Sequence, residues 1–288
     1  MADDSPPDHS DDATVRRTSD WVAAVRAAEY SQPDRFVDDP YAGLLADEEA
    51  VATVARLQEL GAPVELAIIR GRLGDEALRR ALAAGIDQAV CLGAGSDTRA
   101  WRAGLPAQFH YFEVDLPGQS AAKARLLDAA AARPTCHWHP VEADLRGGWS
   151  QPLLAAGLRT DRPVHWFAEG VVPYLSVPAA EDLFRTVSEL SAPGSTVVCD
   201  LLESAAFTHP PYRPFLDEFA ALGLVIIPHD ELDRWLVAAG WQARVYRVAD
   251  LAAGTHPLVR QPLPKRLNVE QAGLGYLFAT RLVGRGGG

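Results

Sequence analysis

The sequence predicts an α/β fold: a mostly parallel sheet with helices on both faces, an N-terminal helical cap and a C-terminal antiparallel strand pair. Three observations predict it. Short apolar runs, QAVCLG (88–93), FHYFEVD (109–115), TCHWHPV (135–141), PVHWFAE (163–169) and STVVCDL (195–201), alternate with helical stretches at 119–132, 150–157 and 179–191. Such alternation builds βαβ units whose parallel sheet is covered on both faces. The first run enters a glycine-rich turn, GAGSDT, from which a helix can start. After Gly240 the alternation stops: WQARVYRV and GYLFATRLV (275–283) read as strands with no clear helix between them, suited to an antiparallel edge.

The elements follow in order. MADDSPPDHSDDA is acidic and proline-bearing, so residues 1–14 are expected to be a disordered tail. It lacks the basic and apolar pattern of a signal peptide, and a cytoplasmic protein is expected. TSDWVAAVRAAEY (18–30) has helical apolar spacing, with Ser19 or Asp20 as the expected cap. Pro33 breaks that helix, and another starts after Pro40. VELAIIRGRLGDEALRRALAAGI reads as one or two helices ending at Gly85. Residues 15–86 are thus expected to form the cap and 87–288 the core. Residues 203–230, which carry Pro210, Pro211, Pro214 and Pro228, read as a lid insertion near the ligand mouth.

Composition narrows the function classes. The 288 residues are 48% hydrophobic and 23% charged, as in a soluble globular chain that buries roughly 75% of its unfolded surface. The net charge of −11, with Lys123 and Lys265 the only lysines, argues against a nucleic-acid partner and against an acidic membrane surface. No apolar stretch is long enough to span a bilayer. Cys91, Cys136 and Cys199 lie in strand-like runs without C-x-x-C spacing and are expected to be reduced core thiols. His137 and His139 alternate on one strand face, but two ligands make no metal site, and no metal is expected.

The glycine turn carries the first functional signal. Gly93 and Gly95 let backbone N–H groups approach a ligand closely. A dinucleotide fingerprint needs a third glycine where this chain has Thr98. Asp115 ends the second strand, 22 residues after Gly93, where a carboxylate can accept hydrogen bonds from ribose hydroxyls. Glu113 is its rival on the same strand face. Asp115 is nearer the carboxyl end, where open α/β sheets bind ligands. Turn and acid together favour an adenosine-type ligand.

Longer matches add to this. QAVCLGAGSDTRAWR, YFEVDLPGQSAAK, EADLRGGW, FAEGVVPYL and SAPGSTVVCD occur in that order. They resemble the leucine carboxyl methyltransferase family, in particular its bacterial branch of S-adenosylmethionine-dependent O-methyltransferases of polyketide and other natural-product pathways. WVAAVRAAEYSQPDRFVDDPYA and IIRGRLGDEAL are similar to that branch as well. The resemblance covers about residues 19–202 and implies a Rossmann-like class I methyltransferase sheet. It implies S-adenosyl-L-methionine as cofactor, S-adenosyl-L-homocysteine as product and a small-molecule acceptor. By position, Arg70 would bind the carboxylate of the cofactor's methionine part. Gly93 would lie under the cofactor, Asp115 on its ribose, and Asp144 and Leu145 along the adenine edge. Glu169 would contact the methionine end, and Tyr174 would border the reaction site. The chain departs from the branch in Gly71 after Arg70 and in Pro173 before Tyr174, the latter expected to reshape the acceptor pocket. Arg26 is a candidate for the family's N-terminal cationic contact.

The expected reaction is methylation of a carboxylate to a methyl ester. A carboxylate with a pKa of about 4 is already ionised at neutral pH and needs no base. A phenolic or alcoholic hydroxyl is the alternative acceptor, and His165, His209 or His229 would then be the candidate base. Two other classes compete. A nicotinamide-dependent reductase is disfavoured by the missing third glycine and by Pro178 four residues after Tyr174. A cyclase or binding protein on the same fold would keep the site without methylating.

Overall fold

The structure is a computed structural model and describes residues 12–247, 250–251, 253–259, 261–267 and 274–283. Among the described residues, four helices precede the first strand: α1 (Asp12–Tyr30), α2 (Ala42–Leu45), α3 (Glu48–Glu59) and α4 (Leu66–Ala83). Helix α1 begins six residues before the predicted start at 18, so it occupies 12–14 of the predicted tail; residues 1–11 lie outside the described residues. Ser19 and Asp20 are therefore not caps. Ser19 sits mid-helix, and its hydroxyl donates to the Arg16 carbonyl one turn back, at 2.7 Å. Helix α3 has a local signal that the sequence reading passed over: Asp47 accepts from the Ala50 N–H, and Glu48 and Glu49 occupy the first turn. Helix α4 ends as predicted at Gly85, which takes the left-handed φ of +83°.

The core alternates β1 (Gln88–Leu92), α5 (Arg99–Arg102), β2 (His110–Asp115), α6 (Gln119–Ala129), β3 (His137–Glu142), α7 (Ser150–Ala155), β4 (His165–Ala168), α8 (Val177–Glu189) and β5 (Thr196–Leu202). The segment after β5 holds short 3-10 turns, α9 (Arg213–Ala221) and α10 (Leu232–Ala238). Strands β6 (Trp241–Arg247) and β7 (Leu274–Arg281) follow. The sheet order is β3-β2-β1-β4-β5-β7-β6. Strands β1 to β5 pair in parallel, and β7 runs antiparallel to both β5 and β6.

Strand alternation divides the core between the two sheet faces. Ala89, Cys91, Tyr111, Phe167 and Val198 pack with residues of α1, α3 and α4 on one face. Val90, Leu92, Phe112, Trp166 and Cys199 pack with α7, α8 and α10 on the other. Cys91 and Cys199 are buried free thiols, while Cys136 is half-buried and just precedes β3 instead of lying within it. Among the described residues no helix is long and apolar enough to cross a membrane.

Candidate active site

The strand order turns back between β1 and β4, and the carboxyl ends of these strands open a crevice there. The glycine turn lies on its floor. Gly93 and Gly95 have φ of +65° and +46°. Space demands glycine too: a Cβ on Gly93 would lie 2.9 Å from Val171, and one on Gly95 would lie 2.8 Å from Ser19. The Gly95 N–H donates to Asp115 at 2.6 Å, and the Leu116 N–H donates to the other oxygen of the same carboxylate at 2.7 Å. Asp115 thus locks the turn to the tip of β2. Thr98, where a dinucleotide site would have its third glycine, is fully buried and donates to Asp39 at 2.8 Å.

A cavity of about 350 Å³ opens above this turn, and Arg70, Gly93, Gly95, Asp115, Asp144, Leu145, Glu169 and Tyr174 all line it. Glu113 does not. It is fully buried, paired with Lys123 at 2.8 Å, and burial raises its carboxyl to about 7. Of the two acids of β2, Asp115 is the one in the cavity wall. Asp144 is in the wall, but its carboxylate accepts from the backbone N–H and the guanidinium of Arg146 at 2.6–2.9 Å, a local turn interaction. Arg26 also lines the cavity, with its guanidinium on the Ser96 carbonyl at 2.5 Å and on Asp39 at 3.2 Å.

The polar end of the cavity is built at the tips of β4 and β5. Arg70 pairs with Asp200 at 3.0 Å, and Asp200 also accepts from the Gly170 N–H at 2.7 Å. Burial works against the Arg70 charge, yet Asp200 and Glu169 raise its pKa above the usual value. Glu169 accepts from Arg99 at 2.7 Å and from the Tyr276 hydroxyl at 2.5 Å. Burial raises the Glu169 pKa, and the Arg99 charge opposes that shift. Tyr174 donates to Thr18 of α1 at 3.1 Å, and burial pushes its phenol up to about 12. Arg70 and Arg99 beside Asp200 and Glu169 give this end both signs of charge, as a zwitterionic amino-acid end requires.

Arg99, Asp200 and Tyr276 are site residues for which the sequence predicts no role. Asp200 carried a usable signal, since it is an acid near the end of an apolar strand, the argument already applied to Glu169. Tyr276 carried none.

None of His165, His209 and His229 is in the cavity wall. His165 is fully buried, 2.6 Å from the Thr196 hydroxyl, and desolvation together with the Arg99 charge lowers it to about 3. His229 is buried beside Trp235. Among the described residues no group of three or more His, Cys, Asp or Glu side chains could hold a metal. The neutral His165 has a consequence for stability. Its folded pKa is depressed, so the unfolded chain binds the proton first. Stability is complete above about 6.5 and falls as pH drops, by about 1.4 kcal/mol per unit. His256, lowered to about 4, adds to that loss, while Glu113, raised to about 7, and Asp20, raised to about 6, oppose it, so the His165 share is read from urea midpoints at pH 7 and pH 5.5 as the difference between wild type and variant. His165→Gln should flatten the slope; an unchanged slope would rule out His165 as its origin.

Residues 20–188 match the leucine carboxyl methyltransferase family. A protein of Frankia alni, named provisionally as an S-adenosyl-L-methionine-dependent methyltransferase, is 38% identical over 93% of this chain and 95% of its own length. One of Saccharopolyspora erythraea, with the same provisional name, is 38% identical over 85% of this chain and 88% of its own. A crystal structure from Thermobifida fusca, provisionally called a methyltransferase, superposes with a TM-score of 0.61 at 18% identity, over 90% of this chain and 94% of that one. At that identity the likeness concerns the fold alone.

Proposed function

The chain belongs to the leucine carboxyl methyltransferase family and is an S-adenosylmethionine-dependent methyltransferase; from that premise we propose that it methylates a carboxylate oxygen of a small, polyketide-like natural-product acid, giving a methyl ester and S-adenosylhomocysteine. The observation that carries the reading is the make-up of the cavity: an adenosine-type acid on β2, a zwitterion-complementary end at β4 and β5, and no described histidine in the wall.

The residues divide the work. Asp115 is to hold the ribose, since each of its oxygens accepts a single backbone N–H and keeps a lone pair. Arg70 is to take the methionine carboxylate, with Asp200 and Glu169 facing the ammonium. Gly93 and Leu145 bring backbone and an apolar wall against the nucleoside. Bound S-adenosylmethionine supplies an electrophilic methyl group. The protein's part is to hold the acceptor oxygen in line, and positioning carries much of such a reaction. An acceptor carboxylate arrives ionised. A hydroxyl acceptor would need a base, most often a histidine, and no described histidine stands in the cavity wall. Tyr174, with its high pKa, stays a neutral phenol that borders the reacting atoms.

The test is a product analysis. Incubation with S-adenosylmethionine and a panel of natural-product acids should give a mass gain of one methylene, lost again in mild alkali. An alkali-stable ether would make the acceptor a hydroxyl. Cofactor choice is tested separately by thermal shift: S-adenosylhomocysteine at 100 times its Kd should add about 2.7 kcal/mol of stability, and NAD(P) none. The reverse pattern would make the protein a nicotinamide enzyme.

A further inference from the structure

The acceptor end of the cavity has walls of a different kind. Trp21 of α1, Leu57 of α3, and Phe215 and Phe219 of α9 all line it. The rings interlock: Trp21 and Phe219 have centroids 5.7 Å apart, and Phe215 and Phe219 4.4 Å apart at 79°. Such a surface takes an apolar, partly aromatic body. One polar atom interrupts it. Tyr212, immediately before α9, lines the cavity and is only 4% exposed, and its hydroxyl has no hydrogen-bond partner. A buried hydroxyl left unpaired is destabilising, and such groups in native proteins are almost always satisfied by something.

We propose that Tyr212 is the acceptor-recognition residue, and that its hydroxyl donates to a carbonyl oxygen in the body of an apolar oxo acid lying on Trp21, Phe215 and Phe219. The assignment rests on the reading of the enzyme as a carboxylate methyltransferase and adds the chemistry of the rest of the acceptor. Burial holds the phenol up to about 12, so it is a neutral donor at any working pH. The insertion that carries it is pinned to the site: the Ile227 N–H donates to the Pro173 carbonyl at 2.8 Å, and the His229 N–H donates to the Leu202 carbonyl at 2.9 Å. These backbone bonds tie the far end of the insertion to the loop before Tyr174 and to the tip of β5.

The experiment uses the full chain saturated with S-adenosylhomocysteine and two probes, 4-phenylbutanoic acid and 4-oxo-4-phenylbutanoic acid, titrated calorimetrically. The wild type should bind the oxo acid about 3- to 10-fold more tightly, the range expected for one net hydrogen bond. Tyr212→Phe should abolish that preference and leave the affinity for the plain acid unchanged. Phe215→Ala should weaken both acids alike. No preference in the wild type, a preference that survives in Tyr212→Phe, or no binding of either acid would overturn the proposal. The two readings fail differently. Acids that bind with a Tyr212-dependent preference but are never esterified would remove the carboxylate reading and keep the recognition site. Esterification without the preference would do the opposite.

Discussion

Arg99→Ala should lose about 3–5 kcal/mol of folding stability, the range for breaking a buried charge network by removing one partner. Arg99 is 2% exposed and holds three carboxylates at once: Asp75 at 2.8 Å, Asp97 at 2.7 Å and Glu169 at 2.7 Å. It also donates to the Gly71 carbonyl at 3.2 Å and lies 4.5 Å from the Phe167 ring centroid. Asp75 keeps a second partner in Arg102, at 2.7 Å, but Asp97 and Glu169 would be left as buried acids with far less compensation. Asp97, now held low by Arg99, would then rise, and Glu169, already raised by burial, would rise further. The deficit should therefore be largest at neutral pH and shrink as pH falls and the acids take up protons. Urea denaturation at pH 7 and pH 5 reads both effects, and a loss below 1 kcal/mol or one independent of pH would contradict the network account. Arg99→Lys keeps a charge but not the planar fork, and should recover only part of the loss. Gly74→Ala attacks the same place from α4, because a methyl there would overlap Arg99 and Glu169.

The second large effect is on cofactor affinity. Asp115→Ala and Arg70→Ala should each weaken S-adenosylhomocysteine binding by about 1.5–3 kcal/mol, roughly 10- to 150-fold, if each removes a charge-assisted hydrogen bond. Asp115 has a second task, since its carboxylate fixes the Gly95 and Leu116 N–H groups. Asp115→Ala should thus also lower the thermal stability of the unliganded protein. For Arg70→Ala the cost includes the stranding of Asp200. Glu113→Gln is the control. It disturbs a buried pair with Lys123 away from the cavity, so it should lower stability and leave calorimetric affinity within about twofold. Equal losses for Glu113→Gln and Asp115→Ala would put the wrong acid on the ribose.

What the sequence determined by itself is the local and periodic part of the molecule. Apolar runs of strand length between helical stretches placed all seven strands within about two residues, and the apolar ends of β1 and β2 located the glycine turn and two acids. These signals are local because backbone propensity, turn chemistry and strand period act over a few residues. The start of α1 escaped, since a polar helical turn at a chain end has no apolar period to mark it. The preference for Asp115 over Glu113 came from strand position, but only the tertiary structure gave Glu113 its partner, Lys123, in the core and put Asp115 in the cavity wall. It alone joined Arg70 to Asp200, 130 residues apart, and Glu169 to Tyr276, 107 apart. It kept the candidate histidines out of the cavity and brought the unpaired Tyr212 hydroxyl into it. Charge pairing and burial depend on which strand tips and helices meet in space. That meeting is fixed by the packing of both sheet faces, which no short stretch of sequence encodes.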